Sequence, residues 1–177
     1  QSAKSTNVIL IHGNYADLPE ILKERNLPKA DGLLLDLGFS SDQLEAEGRG
    51  FSFLKDEPLR MAYDSKRQSA KQALEELDEE ELARIIREFG EERFAKRIAR
   101  AIKEAGRKAP IQTTGELAKI VESAVPQNYE RHRLNPATRT FQALRIYVND
   151  ELGNLEKCLS ALSDILAPGG RAVVISF

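Results

Sequence analysis

A single cysteine, Cys158, in 177 residues excludes a disulfide framework and points to a reducing compartment. Tryptophan is absent, and the two histidines, His12 and His132, have no partner at metal-ligand spacing, so a zinc site is excluded. No apolar run approaches the roughly 20 residues of a membrane span, so no membrane partner is expected. No Gly-x-Ser-x-Gly elbow is present and Ser40 and Ser41 lack a neighbouring base, which argues against a nucleophilic triad. A glycine-rich loop of the phosphate-cradling kind is also missing. With 26 Lys and Arg against 28 Asp and Glu the net charge is −2, so any affinity for a polyanion has to come from a local patch. The chain opens without a start methionine or signal-peptide pattern and stops inside the strand-like run Ile175-Ser176-Phe177, so a fragment cut at both ends is expected.

What is present is 41% hydrophobic residues, enough for one real core plus a small insertion. Val8 to Ile11 reads as a short strand, Asp17 to Arg25 as a helix ended by Asn26-Leu-Pro28, and Leu33 to Leu35 as a strand buried on both faces. That order predicts a right-handed parallel crossover. Beyond the loop-like Gly48-Arg-Gly-Phe-Ser-Phe53 the composition turns helical and highly charged. Capping boxes at Asp78/Glu81 and Thr113/Glu116 predict helix starts, Gly90 and Pro126 predict stops, and a further helix is expected from Glu91 to about Ala105. One long helix is expected from Thr138 to about Leu166, followed by a tight turn at Pro168-Gly169-Gly170 and a second parallel-type strand from Arg171 to Ser176. The reading is therefore an α/β core formed by residues 1–54 and 133–177, with an all-α insertion at 55–132.

Two features carry chemistry. The run Asp31-Gly-Leu-Leu-Leu-Asp36-Leu-Gly-Phe-Ser40-Ser41-Asp-Gln43 ends an apolar strand in a carboxylate and a hydroxyl-lined loop, the place where open α/β sheets hold ligands. An Asp that merely closes a turn through its own side chain is the plainer alternative. The other feature is basic. Arg93, Lys96, Arg97, Arg100 and Lys103 recur at three- and four-residue steps, and Arg131, His132, Arg133, Arg139 and Arg145 form a second group interleaved with Tyr129 and Phe141. A solvated helix face accounts for one such run, whereas two clusters beside a ligand loop suit a phosphate backbone.

Five motifs in register sharpen this reading: Asp31 to Gln43, Arg49-Gly-Phe-Ser-Phe53, Gly90-Glu-Glu-Arg-Phe-Ala-Lys-Arg-Ile-Ala-Arg-Ala-Ile102, Asn135-Pro-Ala-Thr-Arg-Thr-Phe-Gln-Ala-Leu-Arg-Ile146 and Pro168-Gly-Gly-Arg171. Together they closely resemble the bacterial small-subunit ribosomal RNA cytidine N4-methyltransferase family, from about His12 to Phe177. The resemblance implies an incomplete class I, Rossmann-like methyltransferase core that uses S-adenosylmethionine, interrupted by a helical domain that helps bind RNA. It implies cofactor contacts for Tyr15, Asp36 and Gln43, and leaves Asp36, Ser40 and Ser41 as candidates for the catalytic acceptors. RNA contacts are expected from Arg93, Arg97, Arg100, Arg139 and Arg145. Small-subunit ribosomal RNA or an assembling subunit would be the partner, in the cytoplasm. Asn135 and Arg60-Met-Ala-Tyr63 differ from the family pattern, and the family's glycine-rich loop and ribose-binding acid lie upstream of Gln1, so the segment by itself is expected to bind the methyl donor weakly or not at all. A non-catalytic RNA-binding remnant and a small-molecule methyltransferase are the rival readings.

Overall fold

The computed structural model describes residues 8–38, 48–64, 67–129 and 133–176. In chain order these form a 3-10 turn at Tyr15–Asp17, helix α1 (Leu18–Glu24), strand β1 (Ala30–Asp36), helices α2 (Ala70–Glu76), α3 (Glu79–Gly90), α4 (Ala95–Lys108), α5 (Thr114–Ala124), α6 (Ala137–Asn149), α7 (Glu151–Ser160) and α8 (Leu162–Ile165), and strand β2 (Leu166–Ile175). They fall into two compact units, Gln1–Leu37 with Leu152–Phe177 and Gly38–Glu151. The division lies at 37/38 and 151/152, where the sequence placed it at 54/55 and 132/133.

In the helical unit, local chemistry sets the helix starts. Ser69 with Gln72, Asp78 with Glu81 and Thr113 with Glu116 form reciprocal capping boxes at α2, α3 and α5, each satisfying two otherwise orphaned backbone donors. The α2 box is not among the sequence expectations, because a seven-residue helix leaves little periodicity to read. Leu82, Ile85 and Ile86 of α3 and Ile98 and Ile102 of α4 are buried, and each isoleucine removed from water contributes about 2 kcal/mol. Helix α4 starts at Ala95, not at Glu91. Glu91 takes the left-handed conformation (φ 51°) that ends α3, and the buried Glu92 carboxylate then accepts from the Phe94 N–H at 2.7 Å, turning the chain.

The expected single helix from 138 to 166 is instead three. Asp150, left-handed at φ 50°, terminates α6, and Ala161 separates α7 from α8. Asp tolerates this conformation better than most residues, so the break falls there and not at Gly153. Helix α6 buries Phe141, Ala143, Leu144 and Val148 in the core of the helical unit, which is why that unit extends to residue 151.

The smaller unit is built on β1 and β2, a parallel pair in which Gly32 faces Arg171, Leu34 faces Val173 and Asp36 faces Ile175. The turn at Pro168-Gly169-Gly170 is taken up as an irregularity within β2, between the partners of Ala30 and Gly32. Two expectations are corrected. Val8–Ile11 forms no strand and is exposed, Leu10 at 91%, because β-branched composition becomes a strand only against a ladder partner. The β1 strand is not buried on both faces either: Leu35 is buried, but Leu34 is 65% exposed, since the described helices of this unit cover one side. Leu35, Cys158 and Ile165 form its small core, with Tyr15, Leu18 and Leu22 packed around them.

Cys158 behaves as the sequence implies, a buried free thiol in α7. Burial pushes its thiol above the ordinary cysteine range, which keeps the reactive thiolate scarce. Alkylation mapped by mass at the Cys158 peptide is therefore expected to be negligible in native protein and complete in denaturant; rapid native labelling contradicts the packing.

Candidate functional site

Asp36 is the last residue of β1, opposite Ile175 at the carboxyl end of its parallel neighbour. The Leu37 N–H still donates to the Ile175 carbonyl at 2.9 Å, and Gly38 then takes φ 125°, a turn that side-chain-bearing residues resist. The Asp36 carboxylate is thus presented at the strand end, exposed and without a hydrogen-bond partner among the described residues. An Asp closing its own turn would spend its oxygens on nearby N–H groups. Tyr15 lies half-buried in the same unit, against the cluster that contains Leu35. Its 3-10 turn is held by Asn14, whose Oδ1 accepts from the Ala16 N–H at 2.9 Å while its Nδ2 donates to Asn154 Oδ1 at 2.8 Å. Ser40, Ser41 and Gln43 lie outside the described residues. An open carboxylate at a strand end is equipped to accept hydrogen bonds from a polar ligand, and the Tyr15 ring is fixed in the same unit.

The basic residues divide by role. Arg93, in the turn before α4, and Lys96, Arg97 and Arg100 on α4 are exposed. The Arg93 guanidinium sits 4.8 Å from the centroid of Phe94 and 6.0 Å from that of Tyr129, and Arg97 lies 6.0 Å from Phe94. Stacking of this kind orders a guanidinium while leaving its N–H edge for an anion. The support beneath is firm, because the fully buried Glu92 accepts from the Tyr129 hydroxyl as well as from Phe94 N–H. Arg100 pairs with Glu79 at 3.4 Å in an exposed geometry of small energetic weight. Lys103 turns inward and donates to the Leu74 carbonyl at 2.8 Å and to that of Leu77, capping the end of α2.

Arg139 and Arg145 are held by protein acceptors. Arg139 donates to the Glu91 carbonyl at 2.9 Å, and Arg145 forms a two-bonded pair with Glu151 at 2.8 and 3.0 Å, with side-chain exposures of 15% and 19%. The aromatic residues that space this group in the sequence, Tyr129 and Phe141, are buried. Arg131 and His132 lie outside the described residues. Glu92, whose partner Tyr129 is 37 positions away, and Asn149, which accepts from the Tyr63 N–H across 86 positions and donates to the Met61 carbonyl across 88, are not marked by the sequence. No local pattern announces either pairing.

The ribosomal RNA small subunit methyltransferase H of Desulfosudis oleivorans is 52% identical over 173 residues, covering 96% of this chain and 55% of that protein. Proteins of the same name from Deinococcus radiodurans (51% over 168 residues, 95% of this chain and 53% of that protein) and Geotalea uraniireducens (52% over 171, 96% and 55%) are similar. The chain spans about half the length of these curated relatives. The MraW methylase family matches residues 1–177, the whole of the chain, and with identities near one half to its curated relatives this chain belongs to that family.

Proposed function

We propose that the full protein transfers a methyl group from S-adenosylmethionine to the N4 amine of a cytidine in the decoding region of small-subunit ribosomal RNA, in the cytoplasm, on free RNA or an assembling subunit. The observation that carries this reading is the open Asp36 carboxylate at the carboxyl end of a parallel strand pair, in a chain whose family is a methylase family. When bound, the cofactor supplies an electrophilic methyl group on a sulfonium. Tyr15 and Asp36 would hold it, with Gln43 from the loop that follows β1.

The substrate end needs orientation more than acid–base power. The amine lone pair of cytosine is delocalised into the ring, so the site has to accept hydrogen bonds from its N–H groups and align nitrogen with the methyl carbon. Positioning alone supplies much of such a rate. Asp36, Ser40 and Ser41 are the acceptors we assign to this task, and the displaced proton passes to water. To reach them the cytidine must leave its stack, with its flanking phosphates held. The helical unit is the RNA-recognition part, gripping phosphates through Arg93, Arg97 and Arg100, while Arg139 and Arg145 position the backbone around them. The exposed apolar residues on both faces of the strand pair suit a core that further polypeptide covers in the longer protein.

The test is label transfer by the full-length protein from methyl-labelled donor to small-subunit particles or their RNA, with the modified base identified by mass. Absence of transfer alongside salt-sensitive RNA binding would establish the non-catalytic remnant instead. Reversing the charge of the stacked pair, Arg93→Glu with Arg97→Glu, is expected to weaken RNA binding about tenfold or more at 0.1 M salt and to leave donor affinity unchanged. Equal loss of both would place α4 in the donor site.

A further inference from the structure

A second basic locus in the helical unit adjoins the α4 cluster read from the sequence, shares Lys103 with it and otherwise lies on different elements. A groove of about 790 Å³ has Arg49, Arg60, Arg67 and Lys71 in its walls. An adjoining depression of about 300 Å³ shares Lys71 and Glu75 with it and adds Lys103 and Arg107 from α4. Six cations thus face two carboxylates, Asp64 and Glu75. Arg49, Arg60, Arg67 and Arg107 form no ion pair among the described residues. Lys71 donates to the neutral Gln112 Oε1 at 2.8 Å and Lys103 to main-chain carbonyls, so neither charge is cancelled.

The groove is also built to hold its shape. Gly50, at φ 69°, lies so close to the Pro58–Arg60 segment that an added Cβ would stand 2.3 Å from the Pro58 carbonyl. Met61 takes φ 55°, unusual for a long side chain, and is pinned there: its N–H donates to the Arg49 carbonyl at 2.9 Å and its carbonyl accepts from Asn149 at 2.7 Å. A strained residue held from both sides between two wall arginines is the kind of backbone found at ligand clamps. The one aromatic among the lining residues, Tyr63, is engaged, its ring 5.2 Å from Phe51 and its hydroxyl donating to Glu151. The groove therefore offers charge and no base-stacking platform.

We propose that this track, from Arg49 and Arg60 across Lys71 to Lys103 and Arg107, binds the sugar–phosphate backbone of an RNA strand without reading its sequence. It extends the RNA path along α4, where Arg97 and Arg100, preceded by Arg93 in the turn before the helix, lead to Lys103 and Arg107 at helical spacing. The inference rests on the RNA-methylating reading above and assigns it a second contact surface.

The test uses the full-length protein, a small-subunit ribosomal RNA transcript and binding measured over a salt series. With Arg60→Gln and Arg67→Gln together, the slope of log K against log salt should shrink by about 1.4, the release expected for two single-strand phosphate contacts, and affinity should fall about tenfold at 0.1 M salt. Arg60→Lys with Arg67→Lys should restore most of the slope. An unchanged slope and affinity overturns the groove assignment. The α4 double variant run in parallel separates the two levels: if only the groove variant is silent, the second surface is wrong and the RNA reading stands; if both are silent, the RNA reading itself fails. Should the Gln variant not fold, photo-cross-linking of 4-thiouridine-substituted RNA to the unaltered protein decides. Adducts in the 58–75 peptides support the track, and adducts confined to other regions overturn it.

Discussion

Alanine at Asp36 in the full-length protein is expected to abolish methyl-donor binding while leaving both stability and RNA affinity nearly unchanged. The carboxylate is exposed and has no partner among the described residues, so its removal strands no buried group and breaks no contact among them. What it removes is a charged acceptor at the strand end. Hydrogen bonds to an ionised group contribute about 1.5–3 kcal/mol each, and a carboxylate that accepts two of them accounts for roughly 100-fold in affinity or more. Calorimetric titration with S-adenosylmethionine reads that loss directly, and a filter assay with ribosomal RNA reads the other half. Asp36→Asn, which keeps one acceptor oxygen and loses the charge, should fall between. Wild-type donor affinity in the alanine variant would return Asp36 to the turn-closing role and remove the basis for the proposed site.

Gly90→Ala is expected to destabilise the helical unit strongly. Glycine at the last position of α3 lets α6 approach so closely that a Cβ would stand 2.4 Å from the Arg139 carbonyl oxygen and 3.1 Å from its carbon. Neither atom belongs to a flexible side chain, so relief requires moving one helix against another in a close-packed core. Overpacking of this kind costs about 1–3 kcal/mol and more where backbone must shift. The gain in helix propensity from glycine to alanine, about 1 kcal/mol, is smaller and does not offset it. Urea denaturation should show a lower midpoint with an unchanged slope, or no folded protein at all. A variant as stable as the parent would show that α3 and α6 are not in contact at Gly90. Because the Arg139 carbonyl sits at this contact and its guanidinium caps α3 at Glu91, the same variant should also weaken RNA binding if α4 is the phosphate surface.

Much of the architecture was legible in residue order because it depends on interactions a few positions apart. Asp78/Glu81 and Thr113/Glu116 announced helix starts through pairs three residues apart, and the structure forms both boxes. The strand at Leu33–Leu35 and the one after Arg171 were visible as short β-branched or leucine runs ending in turn residues, and they pair in parallel as expected. The strand-end carboxylate was visible for the same reason, since chemistry that follows a strand follows it in sequence. Val8–Ile11 failed because a strand is a relation between two segments. The helix from 138 to 166 failed because a left-handed Asp150 costs little locally and leaves the apolar period unbroken.

Residue order by itself therefore determined the family, both paired strands, the capped helix starts at Asp78 and Thr113 and the carboxylate at the end of β1, since caps, periodicity and motif spacing all act over one or two turns of chain. Tertiary structure alone decided which cations have protein partners and which do not. Arg145 meets Glu151 only after α6 ends at Asp150, Arg93 reaches a second ring in Tyr129, which Glu92 holds from 37 residues away, and Arg49, Arg60 and Lys103 share one track only because loops and helices distant in sequence come to adjoining walls. The physical reason is one of range. A charge run looks the same in sequence whether its members face solvent, a carbonyl or a carboxylate, and that difference is set by long-range packing, which leaves no periodic trace.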